Sequence, residues 1–273
     1  MASTPRNLSS TPSSPADESR WVVQIRALVE EEVREEDMKT PVSIFCVPRP
    51  MVSFRPHAYV PQLFAFGPYH HWHPQLYDME RYKLATARRT QERLRGGGGL
   101  GFEDVVELFE KREFKLRCHY HKYLDLSAKT LAWMMAIDTS FLLNFLQNNY
   151  SDSAKPEFLR DATPARTLSK MIAKEKTKLG HNMLRRDILM LENQIPFFLL
   201  KKLNRLLHPS KQSARVQLSK LLAGFVRDTS PFKTPTTQNG SDDAGHAHLL
   251  DLLYRSIVPE YKQLIRRHQL KIA

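Results

Sequence analysis

Residues 187–200 form a dense apolar stretch, with nine large apolar residues in fourteen. This is too many for one face of a surface helix, so the stretch is predicted to lie in the core. Three adjacent polar residues interrupt it and need hydrogen-bond partners if they are buried: Glu192, Asn193 and Gln194. Pro196 either kinks one long helix or falls in the first turn of a second, for which Asn193 is a candidate N-cap. The pattern predicts a buried helix–corner–helix over residues 183–207.

Periodic apolar residues predict further helices along the chain. Their approximate ranges are 15–40, 75–94, 102–124, 128–150 and 216–226. Residues 128–150 are apolar on nearly every side and therefore predict a central helix. Residues 15–40 carry an apolar stripe opposite an acidic side, which favours a helix packed on the body of the protein. A detachable helix is the alternative.

Between Pro41 and Pro74 the pattern changes, because closely spaced prolines preclude a long helix. The aromatic residues of this segment indicate ordered loop and a short extended run. The predicted fold is therefore mainly α: an irregular multi-helix domain with a Pro-rich extended N-terminal segment and few or no short strands. The predicted organisation has five parts: a disordered tail at 1–14, an acidic amphipathic helix at 15–40, a helical core domain at 41–228, a linker at 229–245 and a C-terminal helical segment at 246–273.

Length and composition place the chain among globular proteins. Its 273 residues, 41% of them hydrophobic, are enough for a substantial core. Cys46 and Cys118 are too few for a disulfide framework, which favours a reduced compartment. The start of the chain lacks the apolar core of a signal peptide, and the run at 131–146 is short and contains Asp138. We expect no signal peptide, no transmembrane helix in this chain, and an intracellular location, cytoplasmic or peripheral at the plasma membrane.

The net charge is +12, and it is unevenly distributed. Residues 1–40 hold eight acids and five bases, so the rest of the chain carries 36 − 21 = +15. This charge fits an acidic protein partner or an anionic membrane surface. The basic end at 261–273 would lie in the membrane plane in the second case. No nucleic-acid-binding module is evident, so no specific nucleic acid is expected, and the oligomeric state is left open.

Candidate chemistry is sparse. His70, His71 and His73 lie near Asp78 and Glu80, and a second group contains Cys118, His119 and His121. Their spacing is not that of a zinc site, and the glycine run at 96–99 lacks the Lys-Ser/Thr of a phosphate-binding loop. We predict no metal, no cofactor and no catalytic residue. The carboxylates of Asp138, Asp187 and Glu192 are assigned structural roles over acid–base chemistry. A hydrolase using the histidines and carboxylates of residues 67–80 is the competing hypothesis.

Several segments together resemble one known family. They are Ile44-Phe-Cys-Val-Pro48, Tyr59-Val-Pro61, Gly67-Pro-Tyr-His-His71, Met79-Glu80 with Lys83, Met134-Met-Ala-Ile-Asp138, Asp187 to Leu200, and His248-Leu-Leu-Asp251. Their order resembles the plant family named domain of unknown function 247, of the UPF0481 type. Thr139-Ser140 departs from the family's usual Gly followed by a small residue. The resemblance implies a mostly helical fold without an established activity, and grass members are associated with the pollen side of self-incompatibility.

Members of this family usually continue to a hydrophobic membrane-anchoring helix. Since this chain stops soon after Asp251, we expect a naturally short or C-terminally truncated member, to which the anchor is not carried over. The predicted function is that of a non-enzymatic helical interaction or signalling protein, with a reproductive role implied by the resemblance alone. The residues assigned to its structural motif are Gly67, Pro68, Tyr69, His70, Asp138, Asp187, Glu192, Asn193, Gln194, Pro196 and Phe197.

Overall fold

A computed structural model describes residues 15–30, 40–150, 178–230 and 245–258. These ranges contain eleven α-helices and no β-strand, which confirms the prediction of a mainly α fold. Strand-like pairing within them is limited to one isolated bridge between Ile44 and Tyr120. The predicted tail at 1–14, most of the predicted linker at 229–245 and the basic end at 261–273 lie outside the described residues.

The helices of the described ranges are numbered in chain order. They are α1 (Pro15–Glu30), α2 (Arg49–Phe54), α3 (Pro56–Tyr59), α4 (Glu80–Gly98), α5 (Phe102–Glu110), α6 (Glu113–Cys118), α7 (Ala128–Tyr150), α8 (Lys178–Ile188), α9 (Phe197–Leu206), α10 (Lys211–Thr229) and α11 (Leu249–Ile257). A 3-10 helix at Pro74–Met79 leads directly into α4.

Helix α7 is the centre of the packing. It contacts α4, α5, α6, α9 and α10, and thirteen of its residues are buried. Leu131, Met135 and Leu146 are fully buried among these neighbours. A helix enclosed on several sides needs apolar residues all round, and this is the pattern from which a central helix was predicted.

The single helix predicted at 102–124 is wrong, because the structure has two. Helix α5 ends at Glu110, and α6 runs only from Glu113 to Cys118. The chain then leaves the helical path to pair with the Pro-rich segment. The carbonyl of His119 accepts the N–H groups of Ser43 and Ile44, at 3.0 and 2.8 Å. These long-range hydrogen bonds replace those that a continuing helix would have made.

One other local prediction also needs correction. The helix predicted to end near Leu94 continues through Gly98, and it stops where Gly99 adopts a positive φ of 70°. Of the apolar stripe of α1, Trp21 and Val29 are 50 and 78% exposed and Ile25 is half-buried. That this helix packs on the body stays a prediction.

Gly224 lets α10 approach the C-terminal end of α7. A Cβ added at this position would lie 2.9 Å from Cβ of Tyr150, which is too close for van der Waals contact and cannot be relieved by a flexible side-chain tip. We expect Gly224→Ala to lower the free energy of unfolding by about 1–3 kcal/mol, although alanine favours helix formation. Chemical denaturation monitored by circular dichroism measures this change.

Gly97→Ala is the matched control, because Gly97 lies in the last turn of α4 with no atom within 4 Å of an added Cβ. This substitution should stabilise the protein by up to about 1 kcal/mol. Equal effects of the two substitutions would contradict close packing of α10 on α7.

Candidate functional site

The extended segment at residues 60–67 has no regular secondary structure, so its backbone must be satisfied by other means. Oδ2 of Asp187, at the end of α8, accepts three consecutive N–H groups from this segment. The donors are Gln62 at 2.9 Å, Leu63 at 2.7 Å and Phe64 at 3.3 Å. Burial raises the pKa of Asp187, and the three N–H groups oppose that rise. One carboxylate thereby accepts hydrogen bonds that the carbonyl groups of a neighbouring strand would accept in a sheet.

Asn193 continues the attachment of this segment from the corner between α8 and α9. Its fully buried side chain accepts from the N–H of Phe66 at 2.5 Å and donates to the carbonyl of Phe64 at 3.2 Å. The same amide donates to the carbonyl of Asp187 at 2.8 Å. The prediction that Asn193 caps a helix is therefore wrong. Helix α9 starts directly after Pro196, without a side-chain cap.

A buried ion pair holds the far end of the segment. Asp138 of α7 accepts the N–H of Gly67 at 2.8 Å through one oxygen and contacts Nζ of Lys83 at 2.7 Å through the other. Lys83 also donates to the carbonyl of Ala65 at 2.5 Å and to Glu80 at 2.6 Å. Burial acts to lower the pKa of Lys83, but the carboxylates of Asp138 and Glu80 outweigh it and raise that pKa. The lysine therefore stays charged in the interior.

Gly67 is required by both conformation and space. Its φ is +66°, and a Cβ added there would lie 2.6 Å from the Tyr120 hydroxyl oxygen. Pro68 follows it and is half-buried. Tyr69 then donates to the carbonyl of Ile44 at 3.2 Å and accepts the N–H of Lys122 at 3.0 Å. The turn at 67–69 thus connects the Pro-rich segment to the chain that follows α6.

Glu192 and Gln194 link the same corner to two further parts of the chain. Glu192 accepts the N–H of Val47 at 2.5 Å and contacts Nε2 of His70 at 2.9 Å. Burial acts to raise the pKa of Glu192, but these two partners lower it below its ordinary value. The Gln194 side chain accepts the N–H of Leu250 at 3.2 Å. Close to it, the N–H of Phe197 donates to the carbonyl of Ala247 at 2.7 Å.

A histidine pair beside this corner was not identified from the sequence. Nδ1 of His119 lies 2.8 Å from the hydroxyl of Ser43, and Nε2 of His248 lies 3.0 Å from the carbonyl of Ser43. Nδ1 of His248 accepts the N–H of Asp251 at 3.2 Å, which caps α11. Burial lowers the pKa of both histidines, to about 4 for His119, where nearby Lys115 adds to the effect. No sequence spacing signals this group, because its members are 76 and 205 residues from Ser43.

The histidines and carboxylates of residues 70–80 contact different neighbours. His71 packs edge-on against Trp72, Asp78 is exposed, and Glu80 pairs with Lys83. Of the second group, the ring of His121 lies 5.7 Å from that of Phe45. Within the described ranges, no group of three His, Cys, Asp or Glu side chains is arranged to hold a metal ion.

Hydrogen bonds to five polar residues join the Pro-rich segment and α11 to α7, to the end of α8 and to the corner at residues 189–196: Asp138, Asp187, Glu192, Asn193 and Gln194. The fold and these contacts define the class of the protein: it is a helical protein in which buried side chains hold an extended segment. The chain belongs to the family DUF247, described as plant protein of unknown function, which matches residues 44–271. The predicted family is thereby confirmed.

Two relatives from Arabidopsis thaliana support this assignment. The chain is 36% identical to the putative UPF0481 protein At3g02645 over 259 residues, which are 93% of this chain and 45% of that protein. It is 27% identical to UPF0481 protein At3g47200 over 226 residues, which are 79% of this chain and 41% of that protein. The chain thus spans less than half the length of these two relatives. No solved structure is significantly similar to it.

In the parts of the chain that the structure describes, no helix is both long and apolar enough to cross a bilayer.

Asp187→Ala should destabilise the protein by about 3 kcal/mol or more, because it leaves three backbone N–H groups without their acceptor. Asp187→Asn should destabilise the protein less, since the amide oxygen of asparagine can still accept these hydrogen bonds. Urea denaturation measures both changes. Asp78→Ala, at an exposed carboxylate, is the control and should lie within about 0.5 kcal/mol of the wild type. If Asp187→Ala lowered the free energy of unfolding no more than this control does, the result would contradict the anchoring role of Asp187.

Stability should depend on pH through His119. Its pKa in the folded protein is about 4, below the ordinary 6.5, so between these values the unfolded chain binds more protons than the folded one. The free energy of unfolding should therefore fall as pH decreases from 6.5 to 4, by up to about 3 kcal/mol from this residue. His119→Asn removes the titrating ring but keeps a polar group near Ser43, and should flatten the profile in this window. Parallel profiles for wild type and variant would refute the assignment.

Proposed function

We propose that this chain is a non-enzymatic recognition module that presents residues 48–60, the presenting segment, to a protein partner. The observation that carries this proposal is an exposed segment anchored at one end by the half-buried carboxylate of Glu192 and at the other by the buried carboxylate of Asp187. Before it, the N–H of Val47 donates to Glu192; after it, Gln62 and Leu63 donate to Asp187. Asp187 lies at the end of α8, and Glu192 lies in the corner that follows it. An exposed segment fixed in this way loses little conformational entropy on binding.

The surface chemistry of the presenting segment suits an acidic partner with apolar side chains. Phe54 is 79% exposed and Met51 is 48% exposed. The guanidinium of Arg55 lies 5.5 Å from the centroid of the Phe54 ring, and the segment contains no acidic residue. Exposed aromatic, methionine and arginine side chains are enriched in protein interfaces. This combination supports the binding of an acidic protein segment.

The same contacts favour binding over the hydrolase hypothesis. A hydrolase at residues 67–80 would need its histidines and carboxylates to converge on a substrate. His70 instead pairs with Glu192, which also holds the backbone at Val47, while Glu80 pairs with Lys83. Their distribution among separate structural contacts supports a scaffold role.

The family resemblance suggests a setting for this recognition. Since grass members of the family are associated with the pollen side of self-incompatibility, we propose contact between pollen and pistil as the process served. The chain spans less than half the length of its two Arabidopsis relatives. A loss-of-function line with unchanged pollen compatibility and tube growth would argue against this setting.

The double substitution Phe54→Ala/Arg55→Glu should remove the apolar anchor and reverse the charge of the presenting segment. Proximity labelling in the native tissue would identify proteins that are near the wild type but not near this variant. Direct titration with a purified protein from that set should then show at least a tenfold loss of affinity, as expected for an interfacial anchor worth more than about 1.4 kcal/mol. The melting temperature should be unchanged, because both side chains are exposed.

The matched control is Val216→Ala/Lys211→Glu, which alters one exposed apolar residue and one exposed cation on α10. It should leave the labelled set and the affinity as in the wild type. Loss of the same partners in both variants would indicate an effect of net charge and would refute the presenting segment as the binding surface.

A further inference from the structure

Three arginines on the outer face of α4 are spaced seven residues apart: Arg81, Arg88 and Arg95. All three are exposed. Seven residues are almost two helical turns, so neighbouring members lie about 10.5 Å apart along the axis, with a drift of about 20° around it. The result is a narrow line of positive charge about 21 Å long.

Other cations of α4 are used within the protein. Lys83 is fully buried against Asp138, and Arg93 donates to Gln147 of α7 at 2.8 Å. The three outer arginines are different, because none of them forms an ion pair with a residue in the described ranges. Their guanidinium groups remain available for bidentate contacts with carboxylates.

Apolar side chains accompany the arginine line at its N-terminal half. Leu84, between Arg81 and Arg88, is 49% exposed. Before the line lie Tyr77, 47% exposed, and Trp72, 60% exposed, and the Tyr77 hydroxyl donates to the carbonyl of Trp72 at 3.4 Å. Exposed apolar residues beside cations that have no ion-pair partner among the described residues indicate a surface that becomes covered.

We propose that Arg81, Leu84, Arg88 and Arg95, the α4 stripe, form a docking site for an acidic α-helix of a partner protein. A helix with carboxylates seven residues apart would place one opposite each arginine. The drift of about 20° per seven residues is accommodated when two helices cross at about 20°. An apolar residue of the partner, between two of its carboxylates, would pack on Leu84.

Neighbouring acids favour a single helix over an anionic membrane. Glu92 is exposed on the same side of α4, four residues after Arg88, and Asp78 is exposed just before the helix. A flat anionic surface broad enough to reach all three arginines would also approach these carboxylates. A partner helix is narrow enough to follow the arginines along the side that carries Leu84. The charge pattern therefore selects a helical partner.

This site is distinct from the presenting segment and does not depend on it. The two surfaces share no residue, and the α4 stripe belongs to a helix packed on α5 and α7. The proposal is tested with two labelled, alanine-rich helical peptides of identical composition. In the first, three Glu are spaced seven residues apart with Leu between the first two; in the second, the same Glu are distributed around the helix. Binding is measured by fluorescence anisotropy at physiological salt.

The first peptide should bind the full chain at least tenfold more tightly than the second. Reversal of the stripe by Arg81→Glu/Arg88→Glu/Arg95→Glu should abolish this difference. A peptide with Lys in place of the three Glu should then bind the reversed variant in the same register. Glu92→Gln should strengthen binding of the acidic peptide two- to fivefold, because it removes a like charge beside the contact. Phe54→Ala/Arg55→Glu should leave peptide binding unchanged.

The matched control, Lys129→Glu/Lys211→Glu/Arg227→Glu, produces the same change of net charge at exposed positions on α7 and α10. It should retain the preference for the first peptide. Equal binding of both peptides to the wild type would overturn the proposal. So would tighter binding to phosphatidylserine vesicles than to the acidic peptide, if that binding were lost in the α4 stripe variant.

Discussion

The fold depends on supplying hydrogen-bond partners to an extended segment that passes through the interior without a neighbouring strand. An unsatisfied backbone group in such a position costs on the order of 1–3 kcal/mol. Residues 62–67 avoid that cost through the side chains of Asp187, Asn193 and Asp138, which accept five of the segment's N–H groups. These acceptors come from two parts of the chain, so the segment can be satisfied only when α7 and the α8–α9 corner are both in place.

The same constraint explains why charged groups lie so deep in a helical core. Asp138 and Lys83 are almost completely buried, and each makes contacts beyond their mutual ion pair. A buried ion pair adds little net stability, because desolvation offsets the Coulomb attraction. Its value here is geometrical: it fixes α4, α7 and the turn at Gly67 in one arrangement. The specificity of the fold is concentrated in these few polar contacts, while apolar packing around α7 supplies most of the stability.

The carboxylates that hold the extended segment belong to the scaffold and leave other groups for the surface. Glu192 and Asp187, to which the sequence analysis assigns structural roles, hold the two ends of the segment at residues 48–60. The surface, in contrast, carries exposed arginines and apolar side chains on α2 and α4. In this family member, the carboxylates of Asp187 and Glu192 fix the position of the exposed segment between them. The proposed recognition therefore concerns groups that are separate from the residues that maintain the fold.

The sequence by itself determined the helical class, the central position of α7 and the family, because these follow from local apolar periodicity and from short motifs. It also predicted that Glu192, Asn193 and Gln194 lie in a buried corner, but it did not identify their hydrogen-bond partners. Only the tertiary structure assigned Asn193 to the backbone of Phe64 and Phe66, ended α6 at Cys118 and joined His119 to Ser43. These outcomes depend on contacts between residues that are 76 to 129 positions apart. Local propensity contains no information about such contacts, and the hydrogen bonds that they supply override it.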